Sequence, residues 1–191
     1  MFAKGLQNTH ITADEYLNIE LSSAIKHEFV AGQIYAMSGG SLPHNIIAGN
    51  LYLALKQHLK GGPCRAFILD VKIHITAADA FYYPNVVVSC EGFRGEHYLE
   101  SPILIIEVLS PSTASFDRQR KRQDYQLLPS LREYVLVSQD SMYARVFQRD
   151  ESAGGLWREG IFIDGSVISL SSVGLEIPIE QIYEDAWVSA A

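Results

Sequence analysis

The chain has 191 residues, of which 48% are hydrophobic and 19% charged, and a formal net charge of -7. That length fits one domain spanning 1–191 with a proper core, and the composition excludes disordered and fibrous classes. The acidic balance argues against indiscriminate nucleic-acid binding, which shows as a basic surplus, and no apolar run approaches the roughly 18–20 residues that span a bilayer.

The first ten residues lack the apolar core of a signal peptide, so no export is expected and the protein is expected to be cytoplasmic. Cys64 and Cys90 are the two cysteines and have no metal-type spacing. Free thiols in a reducing compartment are expected rather than a disulfide.

In chain order, Thr12-Ala13-Asp14-Glu15 is a capping box. The Thr12 hydroxyl and the Glu15 carboxylate satisfy backbone N–H groups at a helix start, which predicts a short helix through about residue 20. Residues 26–30, then Ala31-Gly32, then 33–37 read as a hairpin, with Gly32 supplying the positive φ of a tight turn. Ser38-Gly39-Gly40-Ser41 is a flexible joint. Over 44–60, Ile47, Leu51, Ala54, Leu55 and Leu59 recur at helical spacing, and Gly61-Gly62-Pro63 ends that helix.

A strand is predicted over 66–75, with Val71, Ile73 and Ile75 on one face and Asp70, Lys72 and His74 on the other. Strands over 81–88 and 103–109 follow, separated by a polar loop containing Glu91 to Glu100. A helix is predicted from near Ser115 to Leu128, stopped near Pro129, and then a buried strand over 133–138. Segments 142–149, 156–163 and 166–170 read as antiparallel strands, and 179–183 as a short closing helix. The order of helix, three strands, helix and strand, with β elements added at both ends, predicts an α/β fold.

One polar residue interrupts the apolar run Ile103-Leu104-Ile105-Ile106-Glu107-Val108-Leu109. An unpaired carboxylate on a buried strand is costly, so a metal ion, a basic side chain or a bound proton must compensate Glu107. The preceding strand carries Asn85 directly after Pro84, and the following helix carries Lys121. A polar residue after a proline, a Glu on the next strand and a Lys close behind suit metal-assisted hydrolysis of a phosphodiester, except that position 85 is Asn and not Asp.

The segments Glu28-Phe29-Val30-Ala31-Gly32-Gln33-Ile34-Tyr35, His44-Asn45, Tyr83-Pro84-Asn85-Val86-Val87-Val88, Glu107-Val108-Leu109-Ser110-Pro111-Ser112-Thr113 and Asp117 through Lys121 to Tyr125 occur in that order. In order and spacing the chain resembles the PD-(D/E)XK nuclease superfamily, with its restriction-endonuclease-like fold. It most resembles a bacterial branch regarded as restriction endonucleases, most of whose members lack a known role. The resemblance implies that Asn85 and Glu107 ligate Mg2+ (or Mn2+) and that Lys121 positions or activates the attacking water. Three departures stand out. Leu109 occupies the place where the superfamily often has its Lys, Asn85 stands where the branch has Asp, and Ala31 replaces the Asp of an Asp-Gly turn.

From spacing alone, Asp117, Lys121 and Tyr125 share one helix face, and an Asp117–Lys121 pair there reads as an ordinary surface ion pair. The resemblance moves Lys121 into the active site. Glu28, His44 and Asp70 are supporting candidates: Glu28 as a further acid, His44 as a contact to phosphate or the carboxylates, and Asp70 as an acid approaching the metal. Arg118, Arg120 and Arg122 read either as a solvated helix face or as a patch that tracks phosphates. The remaining histidines show no zinc-type spacing.

The expected protein is thus a divalent-metal-dependent endonuclease hydrolysing DNA phosphodiesters, with double-stranded DNA as partner, a homodimeric assembly and no membrane association. Asn85 is expected to impair it, because magnesium prefers anionic oxygen ligands. The rival is a catalytically silent relative that keeps the fold to bind nucleic acid or a protein.

Overall fold

The structure, a computed structural model, describes residues 10–91, 97–111 and 114–188. Residues 92–96 of the expected polar loop, along with Ser112 and Thr113, lie outside the described residues. Helix α1 (Ala13–Ser22) starts at the expected capping box, with Thr12 accepting from the Glu15 backbone and Glu15 reaching back. Strands β1 (His27–Val30) and β2 (Gln33–Ala36) form the expected hairpin. Its turn places both Ala31 (φ 46) and Gly32 (φ 83) in the left-handed region, the pattern of a two-residue primed turn. Without an Asp or Gly at position 31, that turn costs Ala31 about 1 kcal/mol. Helix α2 (Leu42–His58) is capped by Ser41.

The strand expected over 66–75 is two strands. Strand β3 (Arg65–Ile68) ends at Leu69, whose φ of 59 turns the chain, and β4 (Lys72–Ile75) then joins a different sheet. The segment 81–88 divides in the same way, into β5 (Ala80–Tyr82) and β6 (Val86–Ser89), with Tyr83-Pro84-Asn85 crossing between sheets. Proline suits that crossing because it cannot donate to a ladder. After β7 (Tyr98–Leu99) comes β8 (Pro102–Leu109), the strand that carries Glu107.

The next helix, α3, runs through three consecutive pieces: Ala114–Phe116, a π-helical turn Asp117–Lys121, and Arg122–Tyr125. It ends three residues earlier than expected. Strands β9 (Glu133–Ser138), β10 (Tyr143–Asp150), β11 (Leu156–Ile163), β12 (Val167–Leu170) and β13 (Leu175–Pro178) follow, then a short α4 (Ile179–Ile182).

One sheet has the order β2-β1-β5-β4-β7, another β11-β10-β9-β8-β6-β3, and β12 pairs with β13. Strand β8 is central in the six-stranded sheet, antiparallel to β6 and parallel to β9. Its two faces enter different cores. Leu104, Ile106 and Val108 pack with Ile47, Leu51 and Leu55 of α2, whereas Ile105 and Leu109 pack with Tyr125 and Leu128 and with Ile73 and Tyr82 of the other sheet. Glu107 has the parity of the second set, so its side chain enters the layer between the sheets, where α3 lies. On the far side of the five-stranded sheet, α1 is held by Tyr16 against Phe29 and Phe81. The fold is the α/β, restriction-endonuclease-like one expected, with its added N-terminal hairpin and C-terminal antiparallel strands.

Cys64 and Cys90 form a disulfide, which corrects the expectation of free thiols. The antiparallel register sets Arg65 opposite Ser89, so the next pair outward is the two cysteines. Among the described residues, no helix is long and apolar enough to cross a membrane.

Candidate active site

Three carboxylates meet one ammonium between the two sheets. Lys121 Nζ lies 2.8 Å from Glu28 Oε1, 3.3 Å from Glu107 Oε1 and 3.2 Å from Asp117 Oδ1. All four residues are at most 5% exposed. Each comes from a different piece of the fold or a different turn of it: Glu28 from β1, Glu107 from β8, and Asp117 and Lys121 from the two ends of the π turn. Such turns are frequent at functional sites. Here the whole set Asp117, Lys121, Asp124 and Tyr125 is buried.

Asn85 sits beside Glu107. Its backbone N–H donates to Glu107 Oε2 at 3.3 Å, and its side-chain carbonyl accepts from the Val108 N–H at 2.7 Å. Tyr125 donates its hydroxyl to Glu107 Oε1 at 3.2 Å, and the Tyr83 N–H donates to Glu28 Oε1 at 3.2 Å. Tyr134 donates to the Asp117 carbonyl from behind at 3.0 Å. Asp117 Oδ1 is different. It is buried, and although it faces the Lys121 charge it accepts no hydrogen bond of good geometry.

Burial governs the ionisation of these groups. Desolvation pushes Glu107 up to about 8, against the pull of Lys121 and with the help of Asp117 and Glu28. Glu28 is raised for the same first reason. Burial works against the charge on Lys121, yet the three surrounding carboxylates hold its ammonium well above the ordinary lysine range. The cluster therefore has one firmly held positive charge and more acid than that charge can balance.

A cavity of about 450 Å3 opens onto this cluster, lined among others by Lys26, His44, Asn85, Glu107, Asp117 and Lys121. His44 enters from the first turn of α2. A Cβ on Gly40 would stand 2.6 Å from His44 Nδ1, so glycine at 40 leaves room for the ring. Burial lowers the His44 pKa, opposed by its hydrogen bond to the Val108 backbone.

The structure thus brings together Asn85, Glu107, Lys121, Glu28 and His44. Asp70 lies apart, on the bend after β3, with its side chain 75% exposed and paired with Lys26 at the cavity rim. Of the three arginines, Arg118 is exposed, Arg120 pairs with Asp124 at 2.7 Å, and Arg122 lies half-buried over the Phe147 ring at 4.9 Å. Sequence reasoning missed the placement of Asp117 and the hydroxyl of Tyr125. Their shared face with Lys121 is the signal for both, but spacing alone reads that face as surface, and the resemblance moves only Lys121 into the site.

The donor set fits a divalent cation on two observations: buried acid in excess over the ammonium, and an Asp117 oxygen without a hydrogen-bond donor. Among the described residues no three His, Cys, Asp or Glu side chains stand together as a ready ion cage. Magnesium needs less, because it keeps several waters and takes one or two carboxylates.

The comparisons agree on kinship. A family model described as "Uma2: Putative restriction endonuclease" matches residues 13–180. The chain is 34% identical over 175 residues to an uncharacterized protein of Synechocystis, slr1290, covering 91% of each. A second uncharacterized Synechocystis protein, sll1609, is 34% identical over 133 residues, 68% of this chain and 75% of that one. In fold, the chain is similar to the crystal structure of "a putative nuclease belonging to DUF820" from Anabaena variabilis, with a TM-score of 0.77 at 18% identity over 92% of this chain and 99% of that one. By the family match across nearly its whole length, and by relatives at 34% identity, the chain belongs to the Uma2 family, whose description is "Putative restriction endonuclease".

Proposed function

We propose that this protein is a divalent-metal-dependent endonuclease acting on DNA phosphodiester bonds, held to low activity by Asn85. The observation that carries the reading is Glu107. It is a buried carboxylate on a central strand, next to Asn85 and bonded to Lys121, at the floor of a cavity. Glu107 would hold magnesium or manganese, with the Asn85 carbonyl beside it as a neutral and therefore weak donor. The ion, when bound, supplies Lewis-acid polarisation of the phosphate and a more acidic water. Lys121 would place its charge beside the phosphorus, where negative charge develops in the transition state. Glu28 fixes the Lys121 ammonium at 2.8 Å, and Tyr125 fixes the Glu107 carboxylate. Arg118 and Arg120, on the exposed side of α3, would meet the DNA backbone.

Plasmid nicking tests the reading. The wild type with magnesium or manganese should nick slowly, EDTA should stop it, and Glu107→Ala should be inactive. Activity that survives in Glu107→Ala would overturn the assignment of the site.

A silent relative remains the second reading, favoured by one observation. Asn85 Oδ1 already serves the Val108 N–H, and Lys121 already ties the three acids, so the cluster holds together without an ion. No nicking by the wild type, with or without either metal, would support it.

A homodimer accords with the nuclease reading, since cutting both strands of a duplex takes two sites, which C2 symmetry supplies. Light scattering at micromolar concentration should give twice the mass of one chain. A monomer would remove this part of the proposal.

A further inference from the structure

We propose that Asp117 supplies the metal-binding carboxylate that position 85 lacks. The inference rests on the metal-dependent reading above and names the second acid of that site. Three observations carry it.

First, Asn85 is committed elsewhere. Its side-chain carbonyl accepts from the Val108 N–H at 2.7 Å and its backbone N–H supports Glu107 Oε2, so the residue acts as a tie between β6 and β8. A neutral carbonyl engaged in this way is a poor substitute for an anionic oxygen. Second, Asp117 is 2% exposed, lines the cavity, and its Oδ1 accepts no hydrogen bond of good geometry, although the Lys121 ammonium stands 3.2 Å away. Buried acceptors are nearly always satisfied, so one that is not calls for a missing partner. A divalent cation suits that role, because three carboxylates here share the single ammonium of Lys121. Third, Asp117 and Glu107 both reach the same Lys121 ammonium, at 3.2 and 3.3 Å, so the two acids already converge on one point of positive charge. A divalent ion entering from the cavity would meet both carboxylates, with Lys121 turned toward the phosphate. Asp117 reaches that point from the helix, whereas an acid at position 85 would reach it from the strand.

Manganese binding to the intact protein, followed by isothermal titration calorimetry, tests this without relying on activity. Asp117→Asn preserves shape and removes one charge. It should weaken manganese binding by at least about tenfold, and by more than Asn85→Ala does. Moving the acid to the strand, in the double variant Asn85→Asp with Asp117→Asn, should bring binding back to the wild-type level. That recovery would also show that Asp117→Asn does not act through misfolding. If the wild type binds manganese and Asp117→Asn binds it equally well, the inference fails while the metal-dependent reading stands. If Asn85→Ala loses more than Asp117→Asn, position 85 is the ligand and the inference fails. If the wild type binds no manganese at millimolar concentration, the metal-dependent reading and this inference fall together.

Discussion

Asn85→Asp is expected to raise magnesium-dependent plasmid nicking by about a hundredfold over the wild type. The substitution keeps size and shape and restores one unit of negative charge next to Glu107. A carboxylate at 85 can still accept the Val108 N–H with one oxygen, as the amide does now at 2.7 Å, and present the other to an ion. The expected gain corresponds to roughly 2.7 kcal/mol of transition-state stabilisation, since each 1.36 kcal/mol is a factor of ten. The fold should not suffer, because the backbone N–H bond to Glu107 Oε2 is independent of the side chain. The measurement is the initial nicking rate of both variants at matched magnesium, with Glu107→Ala as the blank. Equal rates would show that position 85 does not limit the reaction.

The largest stability effect should come from Lys121→Met. It removes the ammonium from three buried carboxyl groups and leaves without compensation whatever negative charge they carry, which where they are ionised typically costs about 3–5 kcal/mol. The loss should depend on pH, with a definite sign. Glu107 is raised from 4.5 to about 8 in the folded state, so the native protein holds this proton more tightly than the unfolded chain. Its destabilising contribution is absent below about 4.5 and grows as pH rises toward 8. Glu28 shifts in the same direction. Without Lys121 both groups should move further up, so urea denaturation should show a large deficit at pH 8 and a smaller one at pH 5. An equal deficit at the two pH values would mean that lost packing, and not uncompensated charge, dominates.

Much of this could be read from the residues, and the gaps have physical causes. Glu107 stands out because four apolar residues before it and two after it leave few explanations for a carboxylate. The capping box at Thr12 and the stop after α2 were legible because both are local chemistry. Asp117 was legible as a neighbour of Lys121 but not as a buried one. Helical spacing says which residues share a face, and only tertiary packing says where that face points. The break at Leu69 had no marker, since a leucine at positive φ is imposed by the chain's passage between sheets and not by its own preference. The cysteines were misread because their pairing depends on the register of β3 against β6, a long-range property. Asp70 followed the break. Once the strand ends before it, the alternation that placed it among Lys72 and His74 no longer applies.

The site is distributed over three rigid bodies. Glu28 belongs to the five-stranded sheet, Asn85 and Glu107 to the six-stranded one, and Asp117 and Lys121 to the helix wedged between them. A sliding of one layer over the other therefore cannot leave the cluster intact, because it parts Glu28 from Lys121 even where each sheet keeps its own ladder. Lys121 acts as a rivet through the stack. The joint between the layers thus depends on one buried charge shared by acids from both sheets and the helix, so losing that charge unfastens all three at once.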